Sequence, residues 1–128
     1  MNLPHLFSPT KLGALELANR IVMAPMTRNR AEPDGTPTDL MAEHYGARAQ
    51  AGLIVAEGAW PEVDGQAYCR QPGIATPAHI QGWRRVTDAV HQRGGRIVLQ
   101  IMHSGRIGSR HIKPAGARTV APSALAAR

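Results

Sequence analysis

The segment Asn19-Arg20-Ile21-Val22-Met23-Ala24-Pro25-Met26-Thr27 decides the fold class of this chain. A short apolar run ends at Pro25, and small and polar residues follow it. Because proline cannot donate to a sheet ladder, the pattern predicts a fully buried strand over residues 20–24 that leads into a surface loop. Active sites of barrels built from alternating strands and helices lie at such strand ends. The loop over residues 25–27 is therefore a candidate for functional residues.

Two further apolar segments predict additional strands at suitable intervals. Leu53–Ala56 predicts a second buried strand, which closes with Glu57-Gly58-Ala59, and Arg96–His103 predicts a third. A small hairpin is predicted ahead of them over Lys11–Leu17, where Gly13-Ala14 separates two very short strands.

Two segments between these strands predict helices. The first begins near Thr38 or Asp39 and ends at Gly52. Its inner face is formed by Met41, Tyr45 and Ala49. The second has Thr76 as its cap, followed by a proline at the first helical position, and ends at Gly94-Gly95. Its apolar face is formed by Ile80, Trp83, Val86 and Val90.

The resulting order, β-α-β-α-β with strands that are apolar along their length, is typical of a parallel sheet covered by helices. A doubly wound open sheet and a closed eight-stranded barrel both share this order. No G-x-G-x-x-G motif follows the first strand and no P-loop motif occurs, which disfavours the dinucleotide-binding form. Residues 1–128 are long enough for one modest domain.

Composition excludes several other classes of protein. The net charge of +6 comes from scattered arginines, and two Trp, two Tyr and one Phe offer few rings for stacking on bases, so we expect no nucleic-acid partner. No apolar run approaches the ~20 residues that a membrane helix needs. The single cysteine, Cys69, suits a reducing compartment. We expect a cytoplasmic protein with no membrane association.

Four segments, in order and at the expected spacing, resemble the N-terminal part of the Old Yellow Enzyme family, the FMN-dependent ene-reductases. They are Leu6-Phe7-Ser8-Pro9 with Asn19 to Arg28, then Ala51 to Gly58, Trp83 to Val90, and Gln100 to Arg106. The family fold is a TIM barrel opened by a short N-terminal hairpin. The resemblance therefore implies that this chain is the N-terminal fragment of a TIM (β/α)8 barrel.

The resemblance also implies which residues bind FMN. Pro25, Met26 and Thr27 match the loop beside the flavin ring, where the Thr27 hydroxyl would tune the reduction potential near N5. Gly58 matches a small residue whose backbone faces the flavin edge. Gln100 matches the residue whose amide pairs with the pyrimidine edge of the isoalloxazine.

Two residues match the substrate side of that site. Tyr68 matches an aromatic side chain in the loop after the second strand, and Met102 stands where many members of this branch have Trp. Taken alone, Thr27 and Tyr68 are also compatible with purely structural roles. Glu57 is interpreted equally well as a buried ion-pair partner or as a functional acid. His103 is interpreted as a structural residue.

The activity implied by the resemblance is reduction of an activated alkene such as an enone, with NAD(P)H as the reductant and FMN as the cofactor. A TIM barrel needs about 250 residues and eight strands. We therefore expect the missing C-terminal part of the barrel to lie beyond residue 128 or to come from another chain. A homo-oligomer is a separate possible partner. We expect the isolated chain to be inactive.

Two alternatives differ from this interpretation. One is a dienoyl-CoA reductase-like or amine-oxidising flavoprotein of the same superfamily with an additional iron–sulfur cluster. Thr27-Arg28 and the loop carrying Tyr68 favour the ene-reductase over it. The other is a non-catalytic half-barrel that acts as a binding or assembly module.

Overall fold

The computed structural model describes residues 3–127, and it contains a small hairpin followed by a three-stranded parallel sheet. The hairpin pairs β1 (Thr10–Leu12) with β2 (Leu15–Leu17) around Gly13, whose φ of +57° suits glycine. This confirms the predicted hairpin.

The parallel sheet has the order β3-β4-β5. Its strands are β3 (Val22–Met23), β4 (Leu53–Ala59) and β5 (Ile97–Ile101), and its connecting helices are α1 (Asp39–Gly46) and α2 (Pro77–His91). Every neighbouring pair in this sheet is parallel. The predicted β-α-β-α-β order is therefore confirmed, with three parallel strands where a closed barrel has eight.

Helix α2 begins as its sequence predicts. The Thr76 hydroxyl accepts the His79 N–H at 3.2 Å, and His79 Nδ1 accepts the Thr76 N–H at 3.3 Å, which forms a reciprocal cap. The predicted inner face is wrong at one position, because Ile80 is 47% exposed. His79 is buried instead, since its ring packs against Trp60 and its Nε2 lies 3.0 Å from the Asp34 carbonyl oxygen.

Helix α1 is shorter than predicted, because it ends at Gly46 rather than at Gly52. Beyond it the hydrogen bonds become those of tight turns, with Arg48 N–H donating to Tyr45 O and Ala49 N–H to Gly46 O. The predicted inner face is nevertheless buried. It packs with one face of the sheet and with α2 into the core, which includes Met41, Tyr45, Ile54, Ala56, Trp83, Val86 and Val90.

The prediction of fully buried strands is correct for β4 and wrong for β3 and β5. Val22 is 50% exposed and Val98 is 41% exposed, whereas β4 is buried almost throughout. The reason is that β3 and β5 are the edges of this sheet, and the helices cover only one of its faces. Met23 and Leu99 point to the helix side, so Val22, Val98 and Gln100 alternate to the other face, which we call the open face.

Both edge strands are also shorter than predicted. Ahead of β3, the Arg20 N–H donates to Leu6 O and the Ile21 N–H donates to Asn19 Oδ1, so these two N–H groups bond outside the ladder. Across residues 3–127, neither helix combines the length and the apolar character that crossing a bilayer requires.

Candidate functional site

The predicted site residues lie together at the carboxyl ends of the three parallel strands. The loop over residues 25–27 follows β3, Gly58 lies near the end of β4, and Gln100 is its register partner in β5. Parallel strands bring their carboxyl ends to one edge of the sheet, which is where ligands bind in such folds. Pro25 and Met26 are exposed at this edge, and Thr27 is half-buried.

Gly58, Gln100 and Met102 pack closely against one another. A β-bulge between Ala56 and Gly58 shifts the register of β4 at this point. A Cβ atom on residue 58 would lie 3.0 Å from Met102 Sδ and 3.2 Å from Gln100 Oε1. The prediction of a small residue here therefore has a reason within the chain itself, because a side chain would force Met102 and Gln100 to move by a few tenths of an ångström.

The amide of Gln100 is available for a ligand. It is half-buried on the open face, and among residues 3–127 it makes no side-chain hydrogen bond to the protein. An amide offers both donors and an acceptor, and a partly buried one favours a partner that uses them. The donor set therefore fits the pyrimidine edge of a flavin.

Glu57 anchors the loop that carries Thr27. The residue is only 1% exposed, and Oε2 accepts the backbone N–H of Arg28 at 3.1 Å. Oε1 accepts the hydroxyl of Tyr45 at 3.0 Å, and that hydroxyl accepts the Glu57 N–H at 2.9 Å. Burial raises the pKa of the Glu57 carboxyl, although the Arg28 N–H and the Tyr45 hydroxyl oppose the change.

The structure contradicts the ion-pair interpretation of Glu57, because no salt bridge to its carboxyl group is present among residues 3–127, and a functional role stays a prediction. The carboxyl group is a buried acceptor of two hydrogen bonds, one of them from backbone. The only signals in the sequence are an acid within an apolar strand and a tyrosine on the inner face of the first helix. Neither signal alone indicates which residues the carboxyl would meet.

Gln71 fixes the loop that carries Tyr68, a role that sequence reasoning missed. Its buried side chain donates to the Gly58 carbonyl oxygen at 2.8 Å. Its Oε1 accepts the N–H groups of Ala67 at 2.8 Å and of Tyr68 at 3.3 Å. One side chain therefore connects the end of β4 to the loop, and a glutamine in a polar loop carries no pattern that predicts this.

Tyr68 and Met102 line the same hollow, as their predicted common role requires. Tyr68 is 49% exposed, and the hollow is completed by Ala67, His103, Ser104, Ile107 and Gly108. His103 behaves as the structural residue that the sequence predicts. Its Nδ1 accepts the Gly105 N–H at 2.9 Å, and its Nε2 lies 3.6 Å from Glu62 Oε1.

A buried lysine secures the segment after β5 to the 3-10 turn over Val63–Gly65. Lys113 Nζ donates to the carbonyl oxygens of Asp64 at 2.6 Å and of Arg118 at 3.0 Å. The Asp64 carboxylate accepts the Arg118 N–H at 2.7 Å, and this bond is the main reason that the pKa of Asp64 is lowered. The segment that forms one wall of the hollow is thus tied to the turn.

Comparison with known proteins gives one family. Residues 5–127 match the NADH:flavin oxidoreductase / NADH oxidase family. The chain belongs to this family. It is 41% identical over 121 residues to a probable flavin mononucleotide-dependent alkene reductase of Leishmania infantum, and the match covers 94% of this chain and 33% of that protein.

Solved structures of family members have the same fold over this region. Morphinone reductase in complex with tetrahydroNAD is 47% identical with a TM-score of 0.88, over 96% of this chain and 34% of that one. The old yellow enzyme homologue from Zymomonas mobilis is 43% identical with a TM-score of 0.88, over 95% and 34%. The chain thus spans about a third of the length of these relatives.

These findings confirm both the predicted family and the predicted fold class, the N-terminal part of a TIM-barrel flavin oxidoreductase. The fold agrees with that of the family over the three strands that the chain supplies. The individual contacts of Thr27, Gly58, Gln100, Tyr68 and Met102 with flavin or substrate stay predictions.

Proposed function

We propose that this family member binds FMN at the carboxyl edge of its sheet and contributes to NAD(P)H-driven reduction of the C=C bond of activated alkenes such as enones. The observation that carries the proposal is the juxtaposition of Gly58 and the free amide of Gln100 on the open face. FMN, when bound, would supply the hydride acceptor and donor that such a reaction needs.

Each residue of this edge has a part in the proposal. The Gln100 amide would bind the pyrimidine edge of the flavin, and the absence of a side chain at Gly58 would let the ring approach the backbone. The Thr27 hydroxyl would donate to the ring and so tune its potential. Tyr68 and Met102 would line the space above the ring and orient the alkene, since they share one hollow.

The direct test measures FMN binding in the full-length gene product. Gln100→Leu removes the amide and should weaken FMN affinity at least about tenfold, the value of one or two hydrogen bonds to a polar ligand. Gln81→Leu is the matched control, because Gln81 is exposed on helix α2 and is not part of the sheet. Equal affinities for the two variants would contradict the assignment of Gln100.

The 128 residues alone are not expected to catalyse the reaction. The open face exposes Val22 and Val98, and an uncovered apolar face of this kind requires a partner. In the proposal, further strands of a barrel cover it and supply the rest of the flavin site. NADPH-dependent loss of cyclohexenone should therefore appear only when the remainder of a barrel is present, and turnover by residues 1–128 alone would overturn this part.

A cytoplasmic location is a separate proposal. It is supported by the only cysteine of the chain, Cys69, which is free and exposed as it would be in a reducing compartment. Fractionation of cells that express the tagged protein would test it.

A further inference from the structure

The carboxyl group of Glu57 lies where it can control the geometry of the loop over residues 25–28, which we call the flavin loop. Arg28, whose N–H it accepts, directly follows Thr27 in the chain. The other oxygen of the same carboxyl bonds to Tyr45 in the core. Met26 and Asn29, which lie on either side of this bond, are both exposed, so little packing holds the loop there. A displacement of the carboxyl group would therefore move the backbone beside Thr27.

We propose that Glu57 is the positioning residue for Thr27, which it holds beside the flavin by accepting two hydrogen bonds as a carboxylate and loosens when it is protonated. The inference rests on the proposed function, because it is that function which assigns Thr27 to the flavin. Glu57 itself acts through the loop and not on the reacting atoms.

Hydrogen-bond stoichiometry explains why protonation would loosen the loop. An ionised carboxylate is a strong acceptor at both oxygens, whereas a protonated one keeps a single strong acceptor. The Tyr45 hydroxyl already accepts a hydrogen bond from the Glu57 N–H, and it donates its own proton to Glu57 Oε1. In the proposal the proton is taken up at Oε2, because the Tyr45 hydroxyl needs Oε1, and the Arg28 N–H then loses its partner.

The groups that face this carboxyl set the balance between its two forms. Arg28 and Arg30 of the loop favour the charged form, and burial favours the neutral form more strongly, so the pKa is raised above 4.5. His44 of α1 lines the same cavity, and its Nε2 lies 3.3 Å from Arg28 Nη1. Burial and the charges of Arg48 and Arg28 lower the pKa of His44. His44→Gln is therefore a necessary control in any titration of the loop.

The first experiment follows amide hydrogen exchange at Arg28 by NMR in the full-length gene product without flavin. In wild type, the protection factor should fall about three- to tenfold on acidification, the size expected for one hydrogen bond. Glu57→Gln, with one acceptor oxygen, should show the lower protection already at pH 7 and no further change. His44→Gln should retain the wild-type transition, and Tyr45→Phe should keep Arg28 protected, because Oε2 remains.

Equal protection of Arg28 in wild type and Glu57→Gln, or a transition abolished by His44→Gln, would overturn the inference. The acidification series in wild type needs no substitution, so it decides the matter even if a variant does not fold.

The second experiment measures the midpoint potential of bound FMN in a double-mutant cycle. Thr27→Val and Glu57→Gln should each shift the midpoint potential. The shift caused by Glu57→Gln in the Thr27→Val background should be less than about half of the shift that it causes in wild type. Additive shifts would mean that Glu57 acts by its charge alone, which overturns the positioning role. If wild type bound no FMN, the proposed function would fail, while the exchange at Arg28 would still decide whether Glu57 holds the loop.

Discussion

Gln71 donates its side-chain amide to the carbonyl oxygen of Gly58, 13 residues earlier in the chain, over 2.8 Å. Its Oε1 accepts from the backbone of the loop that carries Tyr68. A single buried side chain thus holds the predicted flavin-facing end of β4 and the predicted substrate-side loop in one arrangement.

Substitution of Gln71 by Met should destabilise the protein by about 2–4 kcal/mol, since each buried polar group left without a partner costs about 1–3 kcal/mol. Methionine has a similar volume, so the loss reports hydrogen bonds rather than a cavity. Urea unfolding measures the change. The control is Gln81→Met on the exposed face of α2, which should change stability by less than about 0.5 kcal/mol. Similar losses in both variants would show that the Gln71 network is not stabilising.

Substitution of Gly58 by Ala should destabilise the fold by about 1–3 kcal/mol, because the new methyl group meets Met102 and Gln100. The sharper test is the coupling between residues 58 and 102. Met102→Gly removes both the Cβ and the Sδ atoms, each of which lies 3.0 Å from the position that the new methyl group would occupy. The double variant should therefore be more stable than the sum of the single losses predicts, and strict additivity would locate the strain elsewhere.

Burial of Glu57 should make one contribution to stability that falls as pH rises. Its pKa is raised in the folded state above 4.5, so the folded protein binds this proton more tightly than the unfolded chain does. The contribution is complete below pH 4.5 and is lost as pH rises through the raised pKa. Urea unfolding of wild type and Glu57→Gln between pH 4 and 7 measures it. The stability of wild type minus that of the variant should decrease with pH, and an increase would contradict the direction.

Asp64 should show the opposite pH dependence. Its pKa is lowered below 3.8, chiefly by the Arg118 N–H, so its stabilising contribution is present above 3.8 and is lost as pH falls through the folded value. Asp64→Asn removes the charge that pairs with Arg118, so it should loosen the segment after β5 at pH 6 and have a smaller effect as pH falls through the folded value. Limited proteolysis of residues 105–127 at pH 6 reports the release. Asp88→Asn, on the exposed surface of α2, is the control that should leave cleavage unchanged.

The order of strands and helices could be predicted because it is encoded locally. Apolar runs mark Leu53–Ala59 and Ile97–Ile101, and Thr76 with Pro77 marks the start of α2. The positions of Gly58 and Gln100 at one edge then follow from parallel pairing, since that pairing aligns the carboxyl ends of the strands.

Burial of the edge strands could not be predicted in the same way. Val22 and Leu53 are both apolar and are paired in register, yet Val22 is exposed and Leu53 is buried. Exposure depends on how many neighbours a strand has and on which face is covered, and neither quantity is a property of the strand's own residues.

The sequence by itself determined the parallel α/β order, the family and the set of residues at the carboxyl edge of the sheet, because periodicity, caps and short motifs are local patterns. Tertiary structure alone decided that Glu57 and Gln71 hold the two loops of the site. Their side-chain partners are the Tyr45 hydroxyl, the Gly58 carbonyl oxygen and the N–H groups of Arg28, Ala67 and Tyr68, and four of these five are backbone groups. A hydrogen bond to a backbone group does not require a particular amino acid at the partner position, so the sequence does not indicate it and only the folded chain shows it.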